Sequence, residues 1–223
     1  MNNELITFQR PDRQDCAGYI SSPKNGAPGV VVIQEWWGLN EQIKGIADRL
    51  SNNGYRVLVP DLYQGKVTLE SAEAEHLMSN LDFGDATTQN IRGAVQFLKQ
   101  QSSEVAVMGF CMGGALTVLS AVHIPEVDAA VCWYGVPPQE AGDTRTISSP
   151  FQGHFALEDV FFPSEQVDAL EANLKAGNVV HEFYRYQAQH AFANENNDSY
   201  SAEAFQQAWA RTLSFLSNYL KNV

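Results

Sequence analysis

Short, densely apolar runs separated by helical patterns constrain this chain more than any other feature. "VVVIQE" (30–35), "YRVLVPD" (55–61), "EVAVMGF" (104–110) and "VDAAVCWYG" (127–135) lack the strict alternation of a half-exposed strand. Runs of this kind suit strands buried on both faces. Between them, apolar residues fall at helical spacing: Ile43, Ile46, Ala47 and Leu50 within 40–53, and Ile91, Ala94, Val95 and Leu98 within 85–101. Residues 112–122 read as a further helix. "PFQGHFAL" (150–157), a helix over 163–176, "VVHEFYRY" (179–186) and a closing helix over 201–220 continue the alternation. Right-handed βαβ crossovers then predict an α/β protein: a mostly parallel central sheet with helices on both faces. "SSPKNGAPG" (21–29) reads as a turn between strands, and 1–223 as one domain.

Composition narrows the function classes. Hydrophobic residues make up 44% of the 223 and charged residues 18%, enough for a sizeable core. A net charge of −12 counts against nucleic acid and anionic membranes as partners. There is no apolar signal core in "MNNELITFQRPDRQD" and no 18-residue apolar run. Cys16, Cys111 and Cys132 form no CxxC, zinc-like pairing or disulfide framework. A reducing cytoplasm, no metal and a monomer are the expectations, with a small-molecule ligand left open.

Parallel α/β sheets collect ligands at the carboxyl ends of their strands. Cys111 falls there, between a predicted strand and a predicted helix, in the pattern Gly109-x-Cys111-x-Gly113-Gly114. A sharp strand-to-helix turn lifts a nucleophile above the sheet, and small neighbours let elements approach closely. The helix N-terminus is expected to lower the thiol pKa from about 8.5. The Met112 N–H points where an oxyanion would form. Cys132, inside a buried strand, reads as a packing residue, and Cys16 is assigned no role.

A cysteine nucleophile needs a base and a group that orients the base. His190, in "YQAQHAFAN" after the last predicted strand, is the candidate base. His76 lies in an acidic surface helix, His123 ends the helix after Cys111, and His154 and His181 read as packing or edge residues. For the acid, "LEDVFFP" offers Asp159, whose short side chain reaches an imidazole rigidly, with Glu158 as the spare. Glu35 ends an apolar strand, where a carboxylate is costly unless paired or protonated. It is read either as salt-bridged to a Lys or Arg, or as touching the resting thiol. The Trp36 N–H is the second candidate oxyanion donor. Trp36, Trp37, Tyr63, Tyr134 and Phe192 are candidates for an aromatic pocket wall or for core.

At this point the chain resembles the dienelactone hydrolase family. The resemblance runs through "VVVIQEWWGLN", "RVLVPDLYQG", "VMGFCMGGAL", "AAVCWYGV", "ALEDVFFP" and "QHAFAN", in that order. It implies an α/β-hydrolase fold and a triad of Cys111, Asp159 (within D-x-x-x-P) and His190 (within H-x-F), with no metal or cofactor. It implies that Glu35, within E-x-x-G, accepts a hydrogen bond from the resting thiol. Well-studied members hydrolyse dienelactone and hold its carboxylate with two arginines. Here "DLYQGK" has no arginine, although Lys66 is nearby, and the second position is Asn194. The implied chemistry is therefore hydrolysis of a small-molecule ester or lactone through a thioester acyl-enzyme. A carboxylesterase or thioesterase, a non-catalytic ligand-binding member of the fold, and a peroxide-sensitive thiol are the alternatives.

Overall fold

The computed structural model describes residues 2–23 and 26–221. Among them, eight strands form one sheet in the order β1-β2-β4-β3-β5-β6-β7-β8. The strands are β1 (Asn2–Gln9), β2 (Asp15–Ser22), β3 (Gly29–Ile33), β4 (Arg56–Pro60), β5 (Val105–Phe110), β6 (Ala129–Trp133), β7 (Phe151–Glu158) and β8 (His181–Gln189). From β4 to β8 every neighbouring pair is parallel. β1 and β2 add an antiparallel edge.

Period-two alternation sorts the strand side chains onto two faces. Val31, Ile33, Val105 and Val107 pack against α4 (Arg92–Lys99), α5 (Met112–His123) and α6 (Ser164–Ala176). Val30, Val32, Ala106, Met108 and Phe110 face α1 (Glu41–Asn52) and α7 (Ala202–Tyr219). Helices thus cover both faces, as the sequence pattern predicts. α1 starts on the Asn40 side chain, which accepts from the Ile43 N–H at 3.1 Å. Two short pieces, α2 (Ser71–Ser79) and α3 (Phe83–Asp85), lie between β4 and α4.

Two local expectations are corrected. The strand implied before the 21–29 turn is the second arm of an N-terminal hairpin whose first arm the sequence pattern does not mark; this second arm takes in Ser21 and Ser22 and buries Cys16. β1 sits at the sheet edge and leaves Leu5 69% exposed, so it carries little of the apolar signal that marks inner strands. The segment expected as one helix over 85–101 contains a π-helical turn, Ala86–Ile91. There Thr87 and Thr88 donate their hydroxyls to the Phe83 and Gly84 carbonyls at 2.7 and 2.8 Å. Such back-bonding competes with the regular helical ladder.

Candidate active site

The carboxyl ends of β3, β5, β6, β7 and β8 bring Glu35, Cys111, Tyr134, Asp159 and His190 to one edge of the sheet. Cys111 occupies the one-residue junction between β5 and α5, at φ 55° and ψ −118°. Side chains rarely adopt this conformation, and holding one there stores on the order of 1–3 kcal/mol. The flanking glycines make the junction possible. A Cβ on Gly109 would lie 2.1 Å from the Gly113 carbonyl oxygen, and one on Gly113 would lie 2.4 Å from the Ile33 oxygen. The Cys111 N–H donates to Trp133 O at 3.0 Å, tying the turn to β6.

From this turn the thiol meets the histidine. His190 Nε2 lies 3.1 Å from Cys111 Sγ, and His190 Nδ1 lies 2.8 Å from Asp159 Oδ2. The other Asp159 oxygen accepts from the Phe161 and Phe162 N–H groups at 2.9 and 3.0 Å, which fixes the carboxylate beyond β7. Glu158, the spare acid, is exposed and bonds Gln187 instead. Phe161, Phe162 and Tyr134 surround the imidazole, with ring centroids 4.9, 5.6 and 5.2 Å away. The remaining histidines lie elsewhere. His154 is fully buried against Trp133, His181 is on the edge strand, His76 is exposed on α2 and His123 closes α5.

Glu35 is held by two neutral side chains. It is buried, and its partners are Tyr134, whose hydroxyl donates to Oε1 at 3.2 Å, and Asn194, whose amide donates to Oε2 at 2.6 Å. No Lys or Arg pairs with it among the described residues. Its hydrogen bonds run to these two groups rather than to the thiol. Burial raises its pKa above the ordinary 4.5, while the Asn194 bond and the nearby His190 oppose the rise.

The thiol is also shifted against expectation. Burial pushes the Cys111 pKa well up, and the Glu35 and Asp159 charges add to the rise. The Met112 N–H opposes it, but desolvation outweighs that contribution. The site therefore favours the neutral thiol over the thiolate. The Met112 N–H opens α5 and so has no intrahelical acceptor. No backbone carbonyl among the described residues accepts from the Trp36 N–H. Trp36 and Met112 both line the cleft that contains Cys111 and His190.

This cleft has a volume of about 1050 Å³. Trp36 and Trp37 line it, with their rings 5.1 Å apart and edge to face. The other proposed wall residues lie off its surface. Phe192 is fully buried between Tyr134, Trp133 and Tyr186, so it is core. Tyr134 and Asn194 are spent on Glu35. Tyr63 is buried and donates to Met112 Sδ at 3.2 Å. Lys66 is exposed and does not border the cleft. Met78 from α2, Val136 after β6 and Leu170 from α6 do line it, and sequence reasoning missed them. Only Phe161 and Phe162, next to the candidate acid, carried a local signal.

The dienelactone hydrolase family model matches residues 16–220. The chain belongs to the dienelactone hydrolase family. Protein usf of Aquifex pyrophilus is 35% identical over 229 residues, covering 97% of this chain and 99% of that protein. An Aquifex aeolicus protein provisionally named carboxymethylenebutenolidase is 32% identical over 230 residues, covering 98% and 99%. The crystal structure of a provisionally named dienelactone hydrolase from Klebsiella pneumoniae superposes with a TM-score of 0.85 at 25% identity, covering 98% of this chain and 100% of that one. A dienelactone hydrolase-like promiscuous phosphotriesterase from metagenomic libraries shares the fold, with a TM-score of 0.87 at 23% identity and 99% of each chain covered. This dienelactone hydrolase family member therefore has the α/β-hydrolase fold and is an enzyme of the hydrolase class. No helix among its described residues is long and apolar enough to cross a membrane.

Proposed function

We propose that this protein hydrolyses an ester or lactone bond of a small molecule through a thioester on Cys111. One observation carries the reading: Cys111 Sγ, His190 and Asp159 form a continuous hydrogen-bonded chain, 3.1 and 2.8 Å, on the wall of a large cleft. Sulfur attacks the carbonyl carbon as its proton passes to His190 Nε2. Asp159 holds the imidazole in the tautomer that can accept it and stabilises the imidazolium. The Met112 and Trp36 N–H groups receive the oxyanion, each donor worth on the order of 3 kcal/mol in related sites. As the tetrahedral adduct collapses, the C–O bond breaks and the alkoxide takes the proton from His190. Water then attacks the thioester and gives its proton to His190. The carbon–sulfur bond breaks, the thiol is reprotonated and the acid leaves.

The raised thiol pKa supports concerted proton transfer. A free thiolate at this sulfur would face a buried site and two carboxylates, so the proton leaves most easily as the charge moves onto substrate. Cys111→Ala should abolish hydrolysis of p-nitrophenyl acetate while the circular dichroism spectrum stays native. Full activity in that variant overturns the reading.

A further inference from the structure

We propose that the cleft selects substrates that are uncharged and apolar around the scissile bond, so that esters bearing a carboxylate are rejected. This deepens the hydrolytic reading and rests on it. Away from the reacting groups, the cleft has an apolar wall of Met78, Phe83, Val136, Phe161 and Leu170, and the polar side chains that share it, such as Ser71, Gln139, Thr144 and Asn173, are neutral. Among the described residues, neither lysine nor arginine lines it. Its acidic lining groups are Glu35, with both oxygens bonded inward, and the exposed Glu75.

A carboxylate entering this space would lose water, gain no counter-ion and face the field of these acids. Burial of an unpaired charge is among the costliest steps a site can impose. The cation nearest the lining in sequence is already occupied. Arg145 follows the lining residue Thr144, but its Nε and Nη2 donate to Asp143 Oδ1 and Oδ2 at 2.8 Å each. Asn194, which holds Glu35, is buried and neutral and adds no positive charge.

The test compares three p-nitrophenyl esters of matched length under identical conditions: the hexanoate, the hemiglutarate and the 4-(trimethylammonio)butyrate. The hexanoate should exceed the hemiglutarate in kcat/KM by about 100-fold, within the range expected when a charge is buried without its partner. It should also exceed the cationic ester. Gln166, an exposed α6 residue that reaches the cleft, offers a place to install the missing charge. Gln166→Arg should raise the hemiglutarate-to-hexanoate ratio of kcat/KM about tenfold relative to Gln166→Met, a neutral control of similar length. Equal rates for hexanoate and hemiglutarate, a faster cationic ester, or no gain from Gln166→Arg would overturn the proposal while Cys111-dependent hydrolysis stands. No turnover of any of the three, or undiminished turnover by Cys111→Ala, overturns the hydrolytic reading and this proposal with it.

Discussion

Asn194 Nδ2 lies 2.6 Å from Glu35 Oε2 and joins the loop after β8 to the loop after β3. With Tyr134 on the other oxygen, it leaves this buried carboxylate held by neutral donors alone. Asn194→Ala should cost about 1–3 kcal/mol, the usual penalty for stranding a buried polar partner. The cost should grow with pH. A carboxyl whose folded pKa is raised gives full stability below its unfolded value of 4.5 and loses it as pH rises through the folded pKa. Removing Asn194 raises the folded pKa further, so urea denaturation should show a larger deficit at pH 8 than at pH 4.

Glu35 also bears on the thiol through its charge. Its charge is the second cause of the raised Cys111 pKa, after burial. Glu35→Gln should lower that pKa and speed alkylation by iodoacetamide at pH 8, read by intact mass against time. An unchanged alkylation rate would mean that Glu35 is neutral at that pH.

The backbone at Cys111 predicts an inverted preference for glycine. Glycine ordinarily costs stability relative to alanine, but at φ 55° and ψ −118° only glycine is unstrained. Cys111→Gly should be more stable than Cys111→Ala by about 1 kcal/mol in chemical denaturation. Neither variant should hydrolyse an ester.

Asp159 is held from both sides, by two backbone N–H groups and by His190. Asparagine at this position can keep the backbone bonds, but it then presents an NH₂ to Nδ1 and favours the wrong imidazole tautomer. Asp159→Asn should lower kcat/KM by about 10²- to 10⁴-fold with little change in melting temperature. Loss of folding instead would mark Asp159 as structural.

His154 supplies a pH signature independent of the site. It is fully buried between Tyr186, Gln152 and Thr212, and burial pushes its pKa down to about 3, with Arg211 adding to the shift. A depressed folded pKa means that its contribution is complete above about pH 6.5 and lost as pH falls toward 3. The slope within that window is about 1.4 kcal/mol per pH unit. His154→Asn should be less stable than the wild type at pH 8, and the gap should narrow between pH 6 and pH 4.

The inner strands and their helices were legible because burial on both faces demands continuous apolar runs, and crossovers demand helices between them. The turn at Cys111 was legible too, since close backbone approach leaves glycine as the residue for Gly109 and Gly113. So was the order of Cys111, Asp159 and His190 along the chain, each just beyond a strand. The first arm of the N-terminal hairpin was not, because an edge strand such as β1 buries too little to leave a pattern.

Tertiary structure alone decided three matters. It set the electrostatics of Cys111, where desolvation outweighs the helix terminus that the local sequence advertises. It decided the partners of Glu35, which lie 99 and 159 positions away in the chain. It also decided which aromatic residues are wall and which are core, separating Trp36 and Trp37 from Phe192 and Tyr134. Periodicity and turn chemistry are short-range and can be read from neighbours in sequence. Desolvation, long-range hydrogen bonding and cavity shape depend on atoms that only folding brings together.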